Sequence, residues 1–174
     1  DLVKGMDLAP THILNPAYNV QQAILKLQAM QVGDGGLTYW PEGGEESWWG
    51  STYACHFLLE AKKAGYDVNQ SSLNRLIQYI KAKLYRKETT VFYYNHGKSR
   101  EVVPEEVPYS LYVLALAAQP DQSTMNYYKA HTDILTLDGR YLLGAAYALT
   151  GQPTQAKQII PSGFAGEIPD NSFS

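Results

Sequence analysis

A single cysteine, Cys55, occurs among the 174 residues. It excludes an internal disulfide and any cysteine-based metal cluster, and a lone thiol does not fix the redox compartment. Long apolar runs are missing too: no stretch of 18 apolar residues occurs, so no segment reads as a membrane-spanning helix. Positive charge is not in excess. The formal net charge of -3 leaves no basic footprint, which argues against nucleic acid as a partner. Phenylalanine is scarce at 4 residues, and the sequence opens at Asp1 with neither an initiator methionine nor a signal-peptide pattern, so it reads as an excised or processed piece.

What is present is an ordinary globular composition, 45% hydrophobic, of a length that suits one domain with a real core. The aromatic content is carried by 14 tyrosines, rings with a polar tip that suit half-wet groove walls and interfaces.

Helical periodicity dominates the chain. Residues 1–15 read as irregular, with Pro10 and Pro16 bracketing a short apolar stretch. A first helix is predicted from Pro16 to Gln31, with Val20, Ala23, Ile24, Leu27 and Met30 as its stripe. Ser51 is a candidate N-cap for a second helix ending at Gly65, and Ser71 or Ser72 for a third. The third has the cleanest amphipathic pattern, with Leu73, Leu76, Ile77, Ile80 and Leu84 on one side. Asn69, Gln70 and Ser71 spell a glycosylation sequon, read here as cap-region chemistry arising by chance. Residues 86–105 break the rhythm and read as an insertion. The β-prone run Thr89–Tyr94, a turn at Asn95–Lys98 and a return through Val102 and Val103 predict a β-hairpin over 89–104. Four more helices follow, at about Val107–Ala118, Ser123–Leu135, Asp138–Leu149 and Pro153–Pro161, before an irregular tail over 161–174.

Helices four and six are apolar nearly all round, whereas helices one and three carry only a stripe and helix five a poorer one. Buried and half-buried helices taking turns predict two layers, with helices two, four and six inside and one, three, five and seven outside. The small residues Gly144, Ala145, Ala146 and Ala148 suit close approach of inner helices. The predicted fold class is therefore all-α, an array of antiparallel helical hairpins with one short β-hairpin, in a single domain over 1–174. Such an array closes into an α/α toroid or stays an open solenoid, and periodicity does not separate the two.

Gln31, Asp34, Gly35, Gly36, Leu37 and Trp40 resemble the Q-x-x-DGG-F-x-x-W signature of α/α toroid proteins, which include triterpene cyclases, prenyltransferase β-subunits and complement-like thioester domains. The run from Ser47 through Trp48, Trp49, Tyr53, Ala54, Cys55, His56, Phe57, Leu58, Leu59, Glu60 and Ala61 to Tyr66 narrows this. It resembles the W-x-T-A-Y-A-G-H-F-L-L-E-A-x-x-x-G-Y segment of bacterial alpha-2-macroglobulins. Leu73–Arg75, Tyr109–Ala117 and Leu137–Gly151 continue the match in order, so the resemblance covers roughly residues 20–160.

That family implies a toroid-like domain of a protease trap in the periplasm or cell envelope. Its partners are the neighbouring domains of the same polypeptide and, through the whole protein, target proteases. A Cys-x-Glu-Gln motif in that family forms a thioester that acylates the attacking protease. The motif is missing here: His56, Phe57 and Leu58 follow Cys55, which stands where the family pattern has a small residue. The resemblance thus implies a scaffold rather than an enzyme, with seven helices forming about half of a six-hairpin toroid, and neither cofactor nor metal.

Candidate sites are weighed against plain structural roles. Asp34, Gly35 and Gly36 read as a tight structural loop. Tyr39, Trp40, Trp48 and Trp49 are the candidate interaction surface, since adjacent tryptophans at a helix start do not both bury easily. His56 and Glu60 share a helical face as a candidate polar cluster, while His12, His96 and His131 show no metal-ligand spacing. Cys55 reads as a small core residue. The acids Glu42, Glu45 and Glu46 lack an opposing carboxylate group for hydrolysis. The alternative function is a carbohydrate- or peptide-binding α/α module using exposed Trp and Tyr, including Tyr93 and Tyr94. A glycan-cleaving toroidal enzyme comes third.

Overall fold

The computed structural model describes residues 15–39, 44–94 and 97–161. The predicted irregular segment 1–15 up to Leu14, Trp40, the turn residues Asn95 and His96, and the tail beyond Pro161 lie outside them. Among the described residues, seven α-helices and one β-hairpin follow in the expected order: α1 (Pro16–Ala29), α2 (Trp48–Lys63), α3 (Gln70–Tyr85), β1 (Thr90–Tyr94), β2 (Lys98–Val102), α4 (Glu106–Leu116), α5 (Gln122–Ala130), α6 (Leu137–Leu149) and α7 (Pro153–Ile159). The all-α hairpin array with a short β-hairpin is therefore the observed fold class.

Capping residues differ from the expectation at two helices. Ser47, not Ser51, caps α2, its Oγ accepting the Gly50 N–H at 3.0 Å. The Ser51 hydroxyl is one turn inside the helix and ties a loop to it instead. Asn69, not Ser71 or Ser72, caps α3 by accepting the Ser72 N–H at 3.0 Å. In each case a side chain with β-region backbone stands just before the first turn, the geometry a cap needs. The predicted fifth helix also stops short. His131 leaves helical backbone at φ -123°, and a separate 3-10 turn, Thr132–Ile134, completes the span.

The stripe of α3 behaves as its periodicity requires: Leu73, Leu76, Ile77, Ile80 and Leu84 are all buried. Contacts run in two patterns. Sequential neighbours α2–α3 and α6–α7 pack together, and α4 contacts both α2 and α6, so the even-numbered helices form a row of their own. At the centre of that row Val107, Leu111 and Leu114 of α4 meet the same core as Leu143, Ala146 and Tyr147 of α6. Helix α6 is not buried on every side, however. Leu137 and Leu149 are 42% and 49% exposed. Its all-round apolar sequence overstates its burial, because Leu137 and Leu149 stand at its two ends.

The β-hairpin pairs antiparallel, with Thr90 opposite Val102 and Tyr94 opposite Lys98. It is held to the helical body on the β2 side. The Val103 N–H donates to the Ile134 carbonyl at 2.9 Å, and the Arg100 guanidinium donates to the Asp133 carbonyl.

Tyr128 of α5 is buried, its ring edge-on to Tyr127, and its hydroxyl has no hydrogen-bond partner among the described residues. A buried hydroxyl without a partner costs free energy that a same-shaped apolar group avoids. Tyr128→Phe is therefore expected to stabilise the fold by about 1 kcal/mol. Urea denaturation checks this; a lower midpoint at unchanged slope would contradict it.

Candidate functional site

The glycine loop joins α1 to α2 and lies on α3. Asp34 Oδ1 accepts the Gly36 N–H at 2.9 Å, closing a turn in which Gly35 has φ +96°. A Cβ on Gly35 would sit 2.5 Å from the Arg75 carbonyl oxygen, and one on Gly36 would sit 2.6 Å from the Tyr79 ring. Both glycines are therefore dictated by the approach of α3's backbone and side chain, and Gly35 also by its left-handed conformation. Gln31 clamps the turn: its Nε2 donates to the carbonyls of Gly35 and Ser72, each at 2.9 Å, while Arg75 Nη2 donates to its Oε1 at 2.6 Å. On the far side of the loop the Leu37 N–H donates to Ser51 Oγ at 2.8 Å. The Asp34 bond closes the turn on itself, and the bonds of Gln31, Arg75 and Ser51 hold the loop to α1, α2 and α3.

The tryptophans part company. Trp48 is half-buried and its indole N–H donates to Ser110 Oγ at 3.0 Å, linking α2 to α4. Thr52 Oγ1 lies 3.2 Å from the same Ser110 hydroxyl, in a buried polar knot between the two helices. Trp49 is 46% exposed and stacks nearly parallel on Tyr53, one turn on, with centroids 5.3 Å apart. Tyr109 of α4 tilts against Trp49 at 6.4 Å. Tyr39 is exposed, and its hydroxyl accepts from Ser47 Oγ at 2.9 Å. Trp40 lies outside the described residues. With Leu27, Met30, Ala54 and Phe57, the residues Tyr39, Trp49 and Tyr53 line a mainly apolar groove of about 550 Å³ between α1 and α2.

His56 and Glu60 are not joined. His56 Nδ1 lies 3.0 Å from the Tyr109 hydroxyl, and its ring stands edge-on to both Tyr109 and Tyr112. Glu60 forms an exposed ion pair with Lys63 at 3.7 Å. The polar partner of His56 is therefore a tyrosine on another helix. Residues missed by the sequence reading are Tyr53, Tyr109, Ser110 and Tyr112. For Tyr53 a signal existed, its i+4 spacing from Trp49, but 53 residues separate His56 from Tyr109 and only the fold brings them together.

Chemically the site is poor in reactive groups. Cys55 is fully buried, and burial pushes its thiol up to about 12, leaving no nucleophilic thiolate at neutral pH. No group of three or more potential metal ligands is found among the described residues. Burial raises the Tyr109 phenol to about 12, with nearby Tyr53 and Tyr112 adding to it, so the hydroxyl beside His56 stays protonated. What the described surface offers is aromatic area with a few hydroxyls.

No protein-family model matches the chain. Alpha-2-macroglobulin of Escherichia coli (strain K12) is 33% identical over 66 residues, which are 36% of this chain and 4% of that protein. Native Escherichia coli alpha-2-macroglobulin, in a structure spanning domain MG7 to the C-terminus, superposes with a TM-score of 0.69 at 21% identity over 83% of this chain. The chain is thus similar to bacterial alpha-2-macroglobulin in sequence over 66 residues and in fold over most of its length. The trypsin-activated Escherichia coli protein gives a TM-score of 0.66 over 80% of the chain, and Salmonella alpha-2-macroglobulin reacted with methylamine gives 0.62 over 77%. The chain spans only a small part of these alpha-2-macroglobulins, 22%, 10% and 9% of the three solved chains respectively.

Proposed function

We propose that this chain is the scaffold part of a bacterial alpha-2-macroglobulin-like protease trap that works outside the cytoplasm, in the periplasm or cell envelope. The observation that carries the reading is the superposition on bacterial alpha-2-macroglobulin structures over most of the chain. The absence of a Cys-x-Glu-Gln motif and the buried, protonated Cys55 fit a part that carries no thioester chemistry. In this reading α2, α4 and α6 are the inner layer of an incomplete toroid. Tyr39, Trp49 and Tyr53 on α2 and its loop are a contact surface for neighbouring domains of the same polypeptide, and the Asp34, Gly35 and Gly36 turn is structural. Trapping requires a two-state rearrangement after cleavage, and a helical unit cross-tied as this one is moves as a rigid body.

The test compares trypsin acting on a protein substrate with and without two additions: residues 1–174 alone, and a longer polypeptide carrying them with alpha-2-macroglobulin-like flanking domains. The short chain is expected to leave the rate unchanged and the long one to suppress it. An unaffected rate with the long polypeptide would sink the trap reading. Faster substrate turnover with the short chain would sink the assignment of scaffold.

A further inference from the structure

The connection from α2 to α3 carries chemistry that a scaffold does not need. After α2 ends at Lys63, Gly65 turns the chain at φ +90°, and residues 66–69 run without regular structure into the first turn of α3. Asp67, Asn69 and Ser71 stand on this stretch, all three exposed. Asn69, Gln70 and Ser71 have the Asn-x-Ser spelling of an asparagine-linked glycan acceptor, with glutamine rather than the forbidden proline at the middle position. On spelling alone that is a chance match. Two features of the segment go beyond spelling.

The first is the state of the Asn69 amide. Its Oδ1 accepts the Ser72 N–H at 3.0 Å as the cap of α3. Its Nδ2, the atom to which a sugar is joined, has no hydrogen-bond partner among the described residues. An asparagine with its oxygen engaged and its nitrogen free can carry a glycan and keep its cap. The second feature is Asp67, two positions upstream. Its carbonyl accepts from Gln21 Nε2 at 3.2 Å, while its carboxylate has no partner among the described residues. Val68, between the two, is buried, so Asp67 and Asn69 turn outward together from an extended backbone. An acid at that position is what bacterial asparagine-glycan transferases select for in addition to the Asn-x-Ser triplet. The site also stands clear of the aromatic surface, since the 16 residues of α2 put roughly 24 Å of helix between Trp48 and this connection.

We propose that Asn69 is an acceptor for asparagine-linked glycosylation outside the cytoplasm, the donor being an oligosaccharide carried on a polyprenyl diphosphate. In the transfer Nδ2 of Asn69 attacks the anomeric carbon of the first sugar. The bond from that carbon to the diphosphate oxygen breaks, polyprenyl diphosphate leaves with the electron pair, and Nδ2 gives up one proton to a base of the transferase. Oδ1 takes no part, so the cap of α3 persists in the product. The inference rests on the extracytoplasmic part of the proposed function and is independent of protease trapping.

The test supplies an export signal, which makes its outcome independent of the natural address. Residues 1–174 are sent to the periplasm of bacteria that express an asparagine-glycan transferase with its lipid-linked oligosaccharide and that modify a reference acceptor protein. The intact mass of the purified chain is then read. The parent is expected to gain the mass of one glycan, on the peptide that holds Asn69. Asn69→Asp keeps a cap oxygen and loses the nitrogen, and is expected to gain nothing with unchanged helix content by circular dichroism. Ser71→Ala is expected to abolish the gain, Ser71→Thr to retain it, and Asp67→Asn to lose most of it. A parent that stays at its unmodified mass overturns the proposal, and so does a gain that persists in Asn69→Asp. A second copy of residues 67–71 appended at the C-terminus tells the two failures of the parent apart: modified only there, the fold shields Asn69; modified nowhere, the sequence is no acceptor.

Discussion

Gly35→Ala is expected to destabilise the fold by about 2–5 kcal/mol, the largest effect expected of a single methyl group added to a turn glycine among the described residues. Two costs combine. At φ +96° an L-residue other than glycine is strained, by itself worth on the order of 1–2 kcal/mol. The new Cβ would also stand 2.5 Å from the Arg75 carbonyl oxygen and 2.9 Å from its carbon, and these are backbone atoms of α3 that cannot rotate away. Relief requires the loop to lift from α3. That would lengthen the bonds of Gln31 to the Gly35 and Ser72 carbonyls and the bond of Arg75 to Gln31.

A matched control separates the two costs. Gly65 has φ +90° but no atom within 4 Å of where its Cβ would be. Gly65→Ala therefore meets the conformational cost alone and is expected to lose about 1 kcal/mol. Chemical denaturation of the two variants, read as midpoint shifts at constant slope, checks the difference. Equal losses would mean that the contact with Arg75 contributes nothing and that the loop is free to move.

This pair of glycines also marks how far the sequence could be read. The turn at Asp34, Gly35 and Gly36 was legible as a turn, because glycine clusters after an amphipathic helix end it. That Gly36 is required by a ring, Tyr79, was not legible, since a contact across 43 positions leaves no local trace. The same divide runs through the fold. Leu73, Leu76, Ile77, Ile80 and Leu84 announce their helix face by spacing alone, and the β-prone run at Thr90–Tyr94 announces a strand. Caps were misplaced by a few residues because Ser47 and Ser51, or Asn69 and Ser72, offer the same side-chain chemistry. Only backbone geometry decides which of them stands before the first turn.

The candidate surface divides likewise. Trp48 and Trp49 look equivalent in sequence. A hydroxyl on α4, Ser110, claims one indole, and a ring one turn along α2, Tyr53, stacks on the other. His56 and Glu60 were paired on the strength of i, i+4 spacing, and each turns to a different neighbour, Tyr109 and Lys63. Spacing on a helix states which residues share a face. It does not state which of them has a better partner on the next helix.

Alkaline titration is the second large effect expected. Burial pushes the phenols of Tyr79 and Tyr128 up to about 12, for Tyr79 with the carboxylates of Glu46 and Asp34 adding to it, and burial raises Tyr147 in the same direction. In the unfolded chain these groups ionise near 10. Between those two values the unfolded state has lost protons that the folded state still holds, so stability falls as pH rises. The contribution is fully present below pH 10 and is lost as the pH climbs through about 12, at about 1.4 kcal/mol per pH unit for each phenol. With Tyr109 raised likewise, these phenols together cost on the order of a few kcal/mol over this window, a sizeable share of the stability of many domains. The thermal midpoint is expected to drop by about 10–20 °C over this window while changing far less between pH 7 and 9. Tyr128→Phe removes one of the titrating groups, so its stability should fall less steeply with pH than the parent's, the offset of about 1 kcal/mol present at neutral pH widening only above pH 10. A phenolate absorbance gained by pH 10 without unfolding that is smaller in Tyr128→Phe than in the parent would show that the Tyr128 hydroxyl reaches water in the folded state, contrary to the burial that raises it.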